Sequence, residues 1–283
     1  MKRSRFAFIG IFLGVALLAA APAFPAKGHF EFGLHYGAWS VNVLRGPIEN
    51  LLSDALKTEF RDKFLEEIRK DNPNFQETSY SQKVSFDSGG HNFGLEARWY
   101  PGGQTGSFSL GLSVEKTTMK VSLPEVSAAL AGRDSKTGQG GSLSGRVNGE
   151  IQIAPLSFHL NFRWDILPSA RIHPYFSFGF GIAGASVYDN GKVTYSYLAD
   201  FTSPTENEHY ADSATKTFRQ LEQEDNTDEN GNPKPSDFKL PGFFPFVSMN
   251  FGLKAKITDN IHLLIDYGIF DGFLLRGGLA IRI

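Results

Sequence analysis

Hydrophobic and polar residues alternate with a period of two along many short segments of the chain. The apolar face of segment 261–269 consists of Ile261, Leu263, Ile265, Tyr267 and Ile269. The residues between them, among them His262 and Asp266, form a more polar face. Such alternation is typical of a β-strand with one apolar and one polar face.

Seven further segments show the same pattern, so the sequence predicts eight strands. They are residues 30–39, 91–100, 108–115, 156–165, 176–183, 247–257 and 273–283. The connections alternate between long ones, residues 44–90, 122–145 and 189–240, and tight turns such as 101–106 and 258–260. Outer-membrane β-barrels combine short periplasmic turns with long external loops. We therefore expect an all-β fold, a closed antiparallel eight-stranded transmembrane β-barrel, with the three long connections as extracellular loops.

The polar faces of the predicted strands are rich in Gly, Ser and Ala and carry only a few charges. The exposed face of a soluble sheet usually carries Lys, Glu and Thr instead. Small residues and opposed charges suit the narrow interior of an eight-stranded barrel. We expect a structural polar network in the lumen, formed by Glu31, Glu96, Arg98, Glu115, Arg163, Asp165, Lys254, Asp266, Arg276 and Arg282.

Aromatic residues lie near the ends of the predicted strands, which favours two girdles at the bilayer interfaces. One set is Phe30, Trp99, Tyr100, Phe108, Trp164 and Tyr175, and the other is Tyr36, Trp39, Tyr188 and Phe243. The content of 26 Phe and 30 Gly, with only 41% hydrophobic residues, also favours many short strands.

Residues 47–70 break the strand pattern. Their apolar residues recur at helical spacing, as in Leu52, Leu56, Phe60 and Phe64. We predict an amphipathic helix inserted after the first strand. It is either a lid or partner-binding helix over the barrel mouth, or a helix that shields its apolar stripe on the rim.

The N-terminus has the features of a secretory signal. Lys2, Arg3 and Arg5 precede an apolar run, and Ala21-Pro22-Ala23 offers small residues for cleavage. We expect a signal peptide at residues 1–23 and a single mature domain at 24–283, exported to the outer membrane of a Gram-negative bacterium. Without the three signal cations, 28 Lys and Arg become 25, against 30 Asp and Glu. This balance offers no basic surface for nucleic acid.

Thiol and metal chemistry find little support in the sequence. The chain has no cysteine, which excludes disulfides, thiol catalysis and thiolate metal sites. His262 and Asp266 share one strand face, where an interior pair is favoured. A polar ladder of His159, Asn161, Arg163 and Asp165 has no nucleophile beside it, whereas catalysis needs convergent acid, base and nucleophile. We expect no enzyme activity, no metal and no cofactor.

The chain resembles the small eight-stranded outer-membrane barrels, the group of the OmpA membrane domain, OmpX and OmpW. The resemblance rests on the signal sequence, on Pro174-Tyr175-Phe176 opening a Gly/aromatic strand, on Thr258-Asp259-Asn260-Ile261 after a tight turn, and on the alternating C-terminal strand. It covers nearly all of the mature chain, with motifs generic to the superfamily. It implies outer-membrane lipid and lipopolysaccharide as partners, and insertion by the barrel assembly machinery. Members usually end on Phe or Trp, whereas this sequence ends on Ile283.

Three functions are compatible with this fold. The favoured one is a structural or surface-interaction role toward an external partner that the sequence does not specify, because an eight-stranded interior is just wide enough for side chains to fill. A small channel for hydrophobic molecules, as proposed for OmpW-like barrels, is the alternative that Leu240, Phe243, Phe244 and Phe246 favour. A rim-located enzyme acting on lipid or peptide is the second alternative. A soluble secreted β protein is a further alternative to the membrane barrel itself.

Overall fold

Eleven strands and four helices account for most of the residues that the computed structural model describes, namely 29–225 and 239–283. The strands are β1 (His29–Ser40), β2 (Phe75–Tyr100), β3 (Phe108–Asp134), β4 (Gly140–Ile153), β5 (Leu156–Asp165), β6 (Ile172–Gly184), β7 (Lys192–Thr202), β8 (Asn207–Thr217), β9 (Phe243–Lys256), β10 (Ile261–Phe270) and β11 (Phe273–Arg282). The helices are α1 (Arg45–Leu56), α2 (Lys63–Asp71), α3 (Ser186–Asn190) and α4 (Phe218–Asp225). Within the described ranges, no helix is long and apolar enough to cross a bilayer. The predicted signal peptide, residues 1–23, lies outside the described residues.

Eight of the described strands pair in a ring, in the order β1, β2, β3, β5, β6, β9, β10, β11 and back to β1. Every pair in the ring is antiparallel. The predictions of an all-β fold and of a helix after the first strand are confirmed. We call one end of the ring the turn end, where residues 101–107, 166–171 and 257–260 connect the strands. The opposite end is the loop end.

The same sheet continues beyond the loop end of the ring, and this part is here named the extension sheet. It consists of residues 75–87 of β2, 119–134 of β3, and then β4, β7 and β8, paired in that order. Strand β3 changes partner along its length, from β5 at Phe108–Lys116 to β4 at Met119–Arg133. Pro155 lies between β4 and β5, where a proline cannot donate a ladder hydrogen bond. Strands β2 and β3 have 26 and 27 residues, whereas the ring strand β10 has 10. The additional length of β2 and β3 forms part of the extension sheet.

The prediction of eight strands in total is wrong, because the structure has eleven within the described ranges. The three connections predicted as loops, residues 44–90, 122–145 and 189–240, contain most of the extension sheet. A bulge explains part of this error, since the pairing of β3 with β4 shifts register between Leu123 and Val126. An extra residue in a strand reverses which side chains share a face, and this interrupts the period-two pattern.

The helical insert follows β1 and packs along the extension sheet. It begins with α1, continues through one wider π-helical stretch at Lys57–Asp62, and ends with α2. The predicted residues Leu52, Leu56, Phe60 and Phe64 are all half-buried.

Three side chains of the insert bind the neighbouring part of β2. Glu49 Oε1 accepts a hydrogen bond from the backbone N–H of Phe86 at 2.9 Å, and Arg61 Nη2 lies 2.8 Å from Glu77 Oε2. Arg45 Nη2 lies 2.8 Å from Asp87 Oδ1. The Glu49 contact covers a backbone group at the edge of β2, and an uncovered edge would offer a template for aggregation. These contacts match a shielding helix more closely than a lid across the ring.

Candidate functional site

The inward side chains of the ring form a polar cluster toward the turn end. They come from alternate positions of all eight ring strands, because successive residues of a strand point to opposite faces. The ten residues predicted from the sequence as a polar network all lie in this interior. Their side chains are between 0% and 12% exposed.

Glu31 is the hub of the cluster. Its carboxylate accepts hydrogen bonds from Arg282 Nη2 at 3.0 Å, Arg163 Nη1 at 3.4 Å, the Tyr100 hydroxyl at 3.3 Å and Lys254 Nζ. Glu31 is 2% exposed and Lys254 is fully buried. Buried charges are tolerated when they are paired and hydrogen-bonded, and Glu31 meets both conditions.

Two further carboxylates tie the remaining cations of the turn end together. Glu96 forms an ion pair with Arg98, and its Oε2 lies 3.3 Å from Arg163 Nη2. Asp165 Oδ2 lies 3.8 Å from Lys254 Nζ. The arginines share carboxylates, so the ion pairs join into one network and do not act as separate bridges.

A second part of the network lies nearer the middle of the ring. Arg276 Nε donates to Asp266 Oδ1 at 2.8 Å, and Arg276 Nη1 lies 3.9 Å from Glu115 Oε1. His35 Nε2 and Glu115 Oε2 are 2.7 Å apart. His262 lies near Glu31, with Nδ1 4.0 Å from its Oε2. His262 and Asp266, considered together in the sequence, therefore have separate partners.

Two tyrosines belong to this network although the sequence placed them in an interfacial girdle. Tyr100 and Tyr175 are 0% and 1% exposed and point inward. The Tyr175 hydroxyl donates to Asp266 Oδ2 at 2.7 Å. Arg282 lies over the Tyr100 ring at 4.0 Å and Arg163 over the Tyr175 ring at 4.5 Å, which are cation–π distances. The sequence signal that could have identified them is their position on the polar face, because Tyr100 lies two residues after Arg98 and Tyr175 lies two residues before Ser177.

The charges of the predicted network balance. Five acids, Glu31, Glu96, Glu115, Asp165 and Asp266, meet five bases, Arg98, Arg163, Lys254, Arg276 and Arg282. The sum of their formal charges is zero. The interior therefore neutralises itself and needs no charged ligand to offset its field.

An apolar cluster, here named the apolar plug, closes the interior toward the loop end. It consists of the buried residues Trp39, Met119, Ala183, Phe246, Phe270 and Leu274. The Trp39 indole N–H donates to the Phe270 carbonyl at 3.1 Å, and the rings of Phe246 and Phe270 are 5.3 Å apart. Trp39 was predicted to lie in the outer girdle, so that prediction is wrong: its side chain is 4% exposed and faces inward.

A serine lies beside His159, contrary to the interpretation of the sequence. Ser157 Oγ and His159 Nε2 are 2.7 Å apart, which is the geometry of a nucleophile and base. Ser157 is fully buried and His159 is 3% exposed. The rings of Phe246 and Phe270 lie 5.6 Å and 5.0 Å from the His159 ring. The pair therefore lies buried against the apolar plug.

The outer face of the ring is apolar on every strand. One exposed example from each strand in ring order is Leu34, Leu95, Leu112, Phe158, Phe180, Phe251, Ile265 and Leu275. Phe251 is 62% exposed and Ile265 is 54% exposed. Soluble monomers rarely expose a continuous apolar surface of this kind. The ring is thus apolar outside and polar inside, the reverse of a soluble domain.

Comparisons with known proteins give no close relative. No protein-family model matches the chain, and no curated protein matches it. Solved structures align with this chain at low TM-scores. The translocator domain of autotransporter NalP from Neisseria meningitidis has a TM-score of 0.22 at 7% identity, and the alignment covers 99% of this chain and 97% of that one.

The transport unit of the autotransporter AIDA-I from Escherichia coli has a TM-score of 0.15 at 6% identity, covering 91% of this chain and 89% of that one. The CymD monoaromatic hydrocarbon channel has a TM-score of 0.15 at 9% identity, covering 93% and 89%. Scores this low carry no argument about this chain. The resemblance to the OmpA, OmpX and OmpW group stays a prediction.

Proposed function

We propose that the ring is a closed transmembrane β-barrel of a bacterial outer membrane, reached by signal-peptide-directed export and insertion by the barrel assembly machinery. The observation that carries this proposal is the apolar outer face of all eight ring strands around an interior of paired charges. A transmembrane strand needs about 9–11 residues, and β5, β10 and β11 each have 10. In a ring each strand pairs on both edges, as the absence of water in a bilayer requires.

The role that this geometry supports best is non-enzymatic. The barrel holds the extension sheet and the helical insert at the cell surface, where they contact lipopolysaccharide or an external partner. Loop-end segments of outer-membrane barrels face outward. The turn end, with its short connections, then faces the periplasm.

The interior supports a barrel that does not conduct. Its ten network charges neutralise one another and are almost fully buried. An eight-stranded barrel is just wide enough for side chains to fill it. The apolar plug adds a second obstacle at the loop end.

A small channel for hydrophobic molecules is the second candidate. The observation that favours it is that the partly buried Phe244 and Val121 pack against the apolar plug, where an apolar solute would find an apolar surface. The charged network on the turn-end side of the plug disfavours passage of an apolar solute, because such a solute would have to separate buried ion pairs.

Two measurements test the proposal. Membrane fractions are run on gels with and without boiling, and we expect the unboiled protein to migrate differently because a folded barrel resists detergent. Purified protein is then added to planar lipid bilayers, where we expect no discrete conductance steps. Recovery in the soluble fraction would contradict the barrel, and regular conductance steps would favour the channel.

A further inference from the structure

A pocket of about 280 Å³ lies between the helical insert and the tip of the extension sheet, far from the charged network. Phe64 and Ile68 of α2 form one side of it. Leu130 of β3, Leu143 of β4 and Phe201 of β7 form the other. The contacting elements are thus the insert and three neighbouring strands, and the body of the pocket is apolar.

A glycine without a side chain helps to keep this pocket open at Gly140. Gly140 and Gly141 line it at the start of β4. A Cβ atom added at Gly140 would meet only the Gly132 carbonyl, at 3.4 Å, so the space beside it is unfilled. Glycine at a strand position often marks a place where a ligand or another backbone approaches closely.

The polar residues of the pocket select against negative charge. Gln139, Ser142 and Ser203 are neutral, and Asp134 is the one charged residue that lines the pocket. The Asp134 carboxylate accepts hydrogen bonds from the backbone N–H groups of Lys136 and Thr137, each at 2.7 Å. An anionic ligand would meet this carboxylate, whereas a neutral one would meet neutral hydrogen-bonding groups.

We propose that this pocket binds a small uncharged molecule with an apolar, ring-sized body and one hydrogen-bonding end, such as a simple phenol. The volume lies just below the range of about 300–1,000 Å³ that drug-sized ligands occupy, so the ligand is small. The apolar body lies against Phe64, Leu130 and Leu143, and its polar end faces Gln139 and Ser142. The inference deepens the proposed function by naming a ligand for the extension sheet, and it rests on that function only for the location at the cell surface.

The test uses the full mature chain in lipid nanodiscs, since detergent chains would compete for an apolar pocket. The probe is 4-fluorophenol, and its binding is followed by fluorine NMR against empty nanodiscs, which correct for partition into lipid. The matched probe is 4-fluorobenzoate, which has the same ring and a negative charge. We expect 4-fluorophenol to bind saturably, and 4-fluorobenzoate to bind at least about tenfold more weakly.

Two variants locate the site. Leu143→Trp fills the pocket and should weaken binding by at least about tenfold. Val147 lies four positions further along the same face of β4, is 44% exposed and does not line the pocket. The control variant Val147→Trp should therefore leave the affinity within about twofold of that of the parent. If Leu143→Trp fails to fold, the double variant Gln139→Ala with Ser142→Ala replaces it, because this variant keeps the apolar wall of the pocket. It should weaken binding about fivefold, which corresponds to the loss of one hydrogen bond.

The outcomes separate this inference from the proposed function. A titration identical to that of empty nanodiscs, or equal binding by Leu143→Trp and Val147→Trp in folded protein, would overturn the site while the membrane barrel stands. Equal affinity for the two probes would overturn the selectivity. If the parent protein migrated identically with and without boiling, that result would instead contradict the barrel.

Discussion

Replacing Glu31 by Gln tests the charged network at its hub. Glutamine keeps the shape of the side chain and removes its negative charge. The carboxylate accepts from Arg163, Arg282, Lys254 and the Tyr100 hydroxyl, so the change weakens four contacts at once. It also leaves five buried bases facing four acids.

The expected cost follows from these contacts. A hydrogen bond to a charged group contributes about 1.5–3 kcal/mol, but contributions within one network are not additive. Removing one partner of a buried ion pair typically costs about 3–5 kcal/mol, because the other charge stays buried without compensation. We expect Glu31→Gln to lower the free energy of unfolding by about 3–5 kcal/mol.

Urea titration of protein inserted in lipid vesicles, followed by tryptophan fluorescence, measures this free energy. The double variant Glu31→Gln with Lys254→Met restores the balance of four acids and four bases, and should recover part of the loss. Lys83→Met breaks an exposed ion pair with Glu125 on the extension sheet, and should cost less than about 1 kcal/mol. If Glu31→Gln costs no more than Lys83→Met, the network is not the organising feature of the interior.

Three further predictions concern the outer face, the plug and a turn. Phe251→Arg, in the middle of β9 and 62% exposed, should lower the free energy of unfolding in vesicles by about 2–4 kcal/mol; a neutral effect would show that this face meets water. Phe246→Ala should cost about 3–5 kcal/mol, yet planar bilayers should stay silent because the network below the plug remains; conductance steps would contradict this order of barriers. Backbone N–H groups of Thr137 and Lys136 hold the pKa of the Asp134 carboxyl below its usual range. The ionised Asp134 carboxylate therefore stabilises its turn at pH values above the ordinary Asp pKa, and this contribution is lost as the pH falls through the lowered pKa. The amide resonance of Thr137 should accordingly titrate only at pH values below the ordinary Asp pKa. A midpoint at the ordinary value would contradict it.

Much of the ring follows from the sequence, because the proposed membrane location imposes a simple rule. One face of each strand must be apolar, and the side chains that point into the narrow interior must be small or form ion pairs. The alternation in segment 261–269 and the opposed charges such as Asp266 and Arg276 express that rule directly. The structure pairs those two residues across neighbouring strands.

The extension sheet could not be predicted in the same way. In the proposed barrel its strands lie outside the bilayer, so they need no strict alternation. Residues 122–134 contain mostly small side chains, and the bulge near Pro124 shifts their faces. The pocket beside α2 depends on the pairing of β4 with β7, two strands that β5 and β6 separate along the chain.

The tyrosines and Trp39 were misplaced for a related reason. An aromatic residue near a strand end can be placed either at the bilayer interface or in the interior of the ring. The two are distinguished only by parity, that is, by whether the residue falls on the outward-facing or the inward-facing positions of the strand. Tyr100 shares parity with Arg98, and Trp39 shares parity with Glu31. Parity should therefore outweigh proximity to the strand end when aromatic girdles are assigned.

Site-specific labelling along β10 tests whether the apolar face of the ring meets lipid, and the chain has no native cysteine that would take up the label. Single cysteines at positions 263, 264, 265, 266 and 267 carry a fluorophore, and brominated lipid serves as the quencher. We expect strong quenching at 263, 265 and 267 and weak quenching at 264 and 266. Uniform quenching, or no quenching along the segment, would contradict a barrel whose apolar face meets lipid.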